Sequence, residues 1–215
     1  MYTPELHKET RQEVMHDLMR AYPLGVWVSL GDAGLVANHI PFDIDTTRGE
    51  HGTLVGHVAR ANPIWRKPVA TVPDLITFQG PQAYITPSWY PSKHEHGKVV
   101  PTWNYAVVHA YGTPTFIDDP AWLHQQVTAL TLRQEASQAL PWAVSDAPGD
   151  YVNKLIGAIV GVEIPIRKLE GKWKMSQNRS QPDQLGVVAG LGAKSDTQAT
   201  GVAALMQRRL TEPHR

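Results

Sequence analysis

The chain has 215 residues, with 20 Lys plus Arg balanced by 20 Asp plus Glu. That length suits one domain with a sizeable core, and the formal net charge of zero supplies no global field toward DNA, anionic lipid or other polyanions. Cysteine is absent, which excludes disulfides, thiolate metal sites and a cysteine nucleophile.

The amino terminus, MYTPELHKETRQEVMHD, has no apolar signal-type core and no stretch long enough to cross a bilayer, so a soluble cytoplasmic protein is expected. Thr10 to Ala21 reads as an amphipathic helix. Thr10 and Glu13 have capping-box spacing, and Val14, Met15, Leu18 and Met19 form its apolar side. Tyr22-Pro23 ends it. Leu24–Leu30 is an apolar run of strand length, Gly31-Asp32-Ala33-Gly34 a turn, and Leu35–Asp45 the returning strand. Pro41 marks that strand as an edge or a bulge, which leaves backbone groups near Asn38 and His39 free to meet a ligand. Thr53–Arg60 is a third strand. Asn62-Pro63 then has the N-cap and first-position signature of a short helix.

Val69–Phe78 is expected as a fourth strand. Ala83–Thr86 and Tyr105–Phe116 flank a long hairpin whose charged turn runs from Ser92 to Lys98. Short strands at this spacing favour a closed antiparallel barrel over a parallel α/β sheet. Asp119-Pro120 caps a helix to about Ala139, with Leu123, Val127 and Leu130 facing inward. Asp150–Ile156 is helical and the 141–150 stretch is a loop. Ile159–Leu169 alternates as a strand, turns at Glu170-Gly171 and returns as Lys172–Gln177. From about residue 181 the chain is helical, broken at Gly190 and Gly192 and resuming from Asp196 to Leu210. The fold class is mainly β with flanking helices, one domain over 1–215.

Several residue sets carry chemistry. Tyr84, Trp89 and Tyr90 precede the hairpin turn, and Thr102, Trp103, Asn104 and Tyr105 follow it. Together they suit a flat, polar-rimmed ring or a well-packed barrel mouth. Arg60 at a strand end beside the Asn62 helix start offers a forked cation and free N–H groups, as a phosphate needs; otherwise it is a surface arginine beside a capping asparagine. Three residues earlier, His57 faces the other side of the strand and reads first as a core or interface histidine. His94-Glu95-His96 supplies too few ligands for a metal site and reads as a solvated turn. Lys172-Trp173-Lys174 followed by Ser176, Gln177 and Asn178 is either an edge strand protected by lysines or a donor set for a ring rim or phosphate. No Ser-His-Asp spacing, G-x-S-x-G, G-x-G-x-x-G or P-loop is present.

Five segments in order, NHIPF (38–42), GHVARANPIW (56–65), TPSWYPSK (86–93), GKVVPTWNYAVVHAYG (97–112) and GKWKMSQN (171–178), resemble the PaiB-type proteins over nearly the whole chain. The resemblance implies an antiparallel FMN-binding split β-barrel, related to pyridoxamine-phosphate-oxidase-like flavoproteins, and a homodimer with FMN at the interface. It also implies the family's description as negative transcriptional regulators of protease and sporulation genes. On this reading Arg60 keeps the first position of a basic pair that grips the phosphate in the wider fold. Ala61 stands where relatives place lysine, so Lys98 or Lys172 is left to supply the second charge. Asn38 and His39 present backbone to the ring, and Trp103 and Asn104 wall the site. A regulator that contacts DNA has no helix-turn-helix, zinc finger or basic helix behind it here. Two other functions fit the same fold: a flavin-dependent oxidoreductase on a small molecule, or a haem-binding or haem-degrading relative with His39, His57 or His109 as axial ligand.

Overall fold

A computed structural model describes residues 1–31, 34–66 and 72–211. In chain order these form β1 (Lys8–Glu9), α1 (Gln12–Ala21), β2 (Leu24–Gly31), β3 (Gly34–Pro41), β4 (Asp43–Asp45), β5 (Thr53–Ala59), β6 (Asp74–Ile85) and α2 (Ser92–His96). They continue as β7 (Thr102–Gly112), β8 (Thr115–Ile117), α3 (Pro120–Glu135), α4 (Gly149–Ile156), β9 (Ile159–Lys174), α5 (Gln181–Gly192) and α6 (Thr197–Thr211). Among the described residues the strand order is β3-β2-β6-β7-β9-β5-β4, with β1 and β8 also paired to β9.

The order has two ends, so the barrel expected to be closed is open. Leu35–Asp45 is not one strand either. It divides at Phe42, whose N–H donates to the Pro23 carbonyl at 2.9 Å, and Pro41 has no N–H with which to continue a ladder. β3 pairs with β2 from Leu24↔Pro41 to Gly31↔Gly34, while β4 pairs with β5 from Asp43↔Val55 to Asp45↔Thr53. Residues 32 and 33 of the expected turn, and 69–71 of the expected fourth strand, lie outside the described residues.

Two compact units divide the chain: 19–78 with 109–169, and 1–18 with 79–108 and 170–215. In the first, Trp27, Leu54, Val58, Ile76, Phe78, Val162 and Ile164 form the interior. The Trp27 ring lies edge-on to Phe42 and stacked with Phe116, both at 6.1 Å between centroids. The Trp27 indole N–H donates to the Asp74 carboxylate at 2.7 Å. Asp119 caps α3 as expected, its Oδ1 accepting from Ala121 N–H at 2.8 Å, but α3 stops at Glu135. Its buried face includes Leu123 and Gln126.

In the second unit Met15, Leu18, Ile85, Tyr90, Trp173, Met175, Val187, Leu191, Val202 and Met206 are buried. One expected turn is absent, and β6 runs on further than the expected fourth strand. β6 passes through Gly80-Pro81, both buried where the in–out alternation changes phase, and continues to Ile85 as one strand. At Glu170-Gly171 the chain runs straight on to Lys174, because β1 pairs across it with Lys8↔Lys172 and Glu9↔Gly171. The charged turn after Trp89 is instead the short helix α2, closed by Gly97 at φ 67° with its N–H on the Lys93 carbonyl at 3.1 Å. α5 passes through Gly190 unbroken. The real break follows Gly192, and Asp196 restarts the chain as α6 by accepting from Gln198 and Ala199 N–H.

Candidate functional site

The sequence-predicted residues form separate sets, each within one unit. In the first unit Asn62 Nδ2 donates to Asn38 Oδ1 at 2.7 Å, while Asn62 Oδ1 accepts from Ile64 N–H at 3.1 Å. The Asn38 Nδ2 is buried with no partner among the described residues. His39 stands exposed on the edge strand β3. His57 Nδ1 lies 2.8 Å from Gln126 Oε1.

Arg60 already has four of its five N–H donors engaged. Its Nη1 and Nη2 donate to the two Asp118 oxygens at 2.8 and 2.5 Å, and its Nε to the Gly157 carbonyl at 2.8 Å. The Asp118 carboxyl is held below the usual aspartate value by hydrogen bonding to this guanidinium, and Arg60 is raised by the same contact. The helix expected after Asn62 is one turn, Pro63–Trp65. Pro63 has no N–H, and the Ile64 N–H belongs to Asn62, so no row of free donors accompanies Arg60.

The second unit holds the other set. On β7, Asn104 and Trp103 alternate: Asn104 is fully buried and Trp103 is 52% exposed. Asn104 Nδ2 donates to Ser176 Oγ at 2.9 Å, so these two predicted residues satisfy each other inside the core. Ser176 holds φ 61° to do so. Trp103 does not form an inner wall. Its ring meets that of exposed Tyr84 edge-on at 6.2 Å.

On β9 Trp173 is buried between the two lysines, and period-two alternation puts Lys172 and Lys174 on the opposite face from it. The Lys174 Nζ donates to Thr102 Oγ1, and to the Trp103 carbonyl at 2.6 Å. The Lys172 Nζ donates to the Tyr2 carbonyl at 3.1 Å and lies 5.4 Å from the centre of the Tyr105 ring. Burial first, and the neighbouring Lys172 charge second, hold the Lys174 ammonium below the ordinary lysine value.

Gln177 Oε1 lies 2.9 Å from His7 Nδ1 and accepts from Met175 N–H at 2.7 Å. His7 is lowered by burial above all, with Lys174, Lys172 and Arg209 adding to it. Trp89 is instead a docking residue, half-buried against α5 with the Lys194 ammonium 5.2 Å from its ring centre. The Lys98 N–H donates to His96 Nδ1 at 3.0 Å, and Asn178 is exposed. Among the described residues no three His, Cys, Asp or Glu side chains gather as a metal site. His7, Tyr2, Gln126 and Asp118 had no sequence signal: each gains its place only through a partner distant in the chain.

Residues 1–168 match the family described as "Putative FMN-binding domain". The chain is 30% identical to the protease synthase and sporulation protein PAI 2 of Bacillus subtilis, covering 98% of each chain. It is 33% identical to the uncharacterized protein AN0679 of Emericella nidulans, with 97% of each covered. Two solved structures share the fold at TM-score 0.58. The FAD and heme binding protein of Mycobacterium smegmatis, 18% identical, covers 83% of this chain and 78% of its own. The flavocytochrome Anf3 of Azotobacter vinelandii, 12% identical, covers 83% and 74%. The fold is thus an antiparallel flavin-type split barrel with flanking helices, and the chain belongs to the FMN-binding domain family of the PaiB type.

Proposed function

We propose that this protein binds FMN and uses it in redox signalling or redox chemistry. The family match over residues 1–168 carries the reading. The residues present fit the ligand. Exposed Trp103 and Tyr84 meet edge-on from adjacent strands, and a flat isoalloxazine ring stacked on one such aromatic face gains about 1–3 kcal/mol. In the same unit Thr102 and the ammonium groups of Lys172 and Lys174 supply polar contacts. When bound, FMN supplies one- and two-electron chemistry, and the chain supplies orientation and electrostatics.

The first test is the absorption spectrum of purified protein before and after FMN is added and gel filtration removes the excess. A retained flavin band is expected; a colourless protein after that treatment would overturn the proposal. Trp103→Ala should weaken FMN binding by about 1–3 kcal/mol. Because Trp103 is half exposed, its loss should change unfolding free energy by less than about 1 kcal/mol. A variant that unfolds readily would put the ring in the core and off the ligand.

A second reading rests on the Bacillus subtilis relative, whose name assigns it to protease synthesis and sporulation. By that likeness the chain is a regulator that responds to flavin state. Selection of genomic DNA fragments by FMN-loaded protein, oxidised and reduced, tests it. Enrichment in one state alone is expected, and none in either leaves the oxidoreductase reading. We also propose a homodimer, supported by the apolar Leu24, Leu35 and Val36 exposed along β2 and β3. Light scattering should give twice the chain mass, and a monomer at micromolar concentration would exclude it. No helix among the described residues is long and apolar enough to cross a membrane.

A further inference from the structure

We infer that the phosphate of the bound flavin is gripped by Lys172 and Lys174, two residues beyond the matched span 1–168, rather than by Arg60. The inference rests on the FMN reading above and names the part of the site that separates FMN from riboflavin.

The Arg60 fork meets both oxygens of Asp118, and its Nε and Nη2 serve main-chain carbonyls. A phosphate approaching it meets a neutral pair, and must strip away a bidentate partner to gain what it offers. Among the described residues Lys172 and Lys174 have no carboxylate at ion-pair distance. Their partners are a hydroxyl, two carbonyls and aromatic faces.

Lys174 donates to Thr102 and Trp103, and Lys172 to Tyr2; an ammonium carries three hydrogens, so each retains donor capacity. Both cations occupy one face of β9, and Tyr105 stands beside Lys172 on the face of β7 that also carries Trp103. Burial first and the Lys172 charge second hold Lys174 below its ordinary value, and His7 is lowered by burial above all, with the same two charges and Arg209 adding to it. A cluster that repels itself when empty is relieved by a dianion. The same strain has no use in a lysine that merely protects a strand edge, since such lysines project into water.

The experiment compares FMN, riboflavin and inorganic phosphate on native protein, Lys172→Gln, Lys174→Gln, the double variant and, as a control in the other unit, Lys154→Gln. Flavin affinity is read from fluorescence quenching, and phosphate from the shift of the thermal midpoint. Native protein should prefer FMN to riboflavin, and the double variant should lose roughly 10–100-fold in FMN affinity, as expected for charge-assisted contacts. Riboflavin affinity should stay within about twofold, since it brings no phosphate to the cations. Inorganic phosphate should raise the thermal midpoint of native protein and of Lys154→Gln, and not of the double variant. An unchanged FMN-to-riboflavin ratio in a folded double variant, or in both single variants if the double does not fold, would overturn the assignment. If neither flavin binds native protein while phosphate still protects it through these lysines, the anion site stands and the flavin reading fails.

Discussion

Replacing Trp27 by alanine should remove at least about 4 kcal/mol of folding free energy, a large share of the ~5–15 kcal/mol that holds a domain together. Two losses add. The ring is fully buried between Phe42 and Phe116, and deleting a large aromatic from such a site costs about 3–5 kcal/mol. Its N–H is also the recorded partner of the Asp74 carboxylate, which is itself buried. Stranding that carboxylate costs about 1–3 kcal/mol more. Trp27→Phe separates the two, since it keeps most of the ring and strands the acid, and should cost roughly 2–4 kcal/mol.

The pH dependence gives the pair a signature. Burial raises the Asp74 carboxyl, and the Trp27 hydrogen bond pulls it part of the way back. Its folded value therefore lies above its unfolded one. The proton binds the folded state more tightly, so this group's contribution is fully present below the ordinary aspartate value and is lost as pH rises through the raised value. In Trp27→Phe the hydrogen bond is gone and the carboxyl rises further. Urea unfolding near about pH 8 and about pH 5 should show the variant's deficit shrinking toward acid. Asp74→Asn in the Trp27→Phe background should recover part of the loss at the higher pH. A deficit equal at both pH values, with no recovery, would show that the two side chains are not coupled.

Gly186→Ala should destabilise the protein by about 2 kcal/mol even though it adds a better helix former. In an exposed helix interior this change gains about 0.5–1 kcal/mol. Here a Cβ at Gly186 would fall onto the Trp89 main-chain carbonyl, and one at Gly190 into the Trp89 indole. A backbone carbonyl has no rotamer to yield, so helix α5 must lift from the Pro87–Trp89 turn, and overpacking of this kind costs about 1–3 kcal/mol. Lifting it also strains the Ser92 Oγ–Asp183 hydrogen bond of 2.7 Å and the Arg179 guanidinium 4.8 Å from the Tyr90 ring centre. Gly190→Val should cost about 3 kcal/mol, and protease should then cut within 181–211 first. A raised thermal midpoint for Gly186→Ala would mean that propensity wins and α5 is not seated on Trp89.

Much was legible where the signal is local. Asp119 before Pro120, the alternation of Thr53–Ala59 and the apolar run of Leu24–Gly31 each declare an element within a few residues. Five ordered motifs declare the family. Glu170-Gly171 misled because turn chemistry is a local preference, and a neighbouring strand that pairs across it outweighs it. Gly190 misled for the complementary reason. It was read as a helix breaker, and its missing side chain is what lets a distant indole approach.

The sequence alone therefore determined a mainly β flavin-type fold, the caps at Asn62 and Asp119 and the family. Which candidate residues remain available to a ligand was decided only by tertiary structure. Arg60 looks like a phosphate grip until the chain folds Asp118, 58 positions away, onto both arms of its fork. Asn104 looks like a site wall until Ser176, 72 positions away, closes on it in the core. Lys174 reaches Thr102 across the same separation and finds a hydroxyl in place of a carboxylate. Charge and hydrogen-bonding capacity are written in the residue. Whether they are already satisfied depends on partners that only the completed fold brings within about 3 Å, the range over which such contacts act.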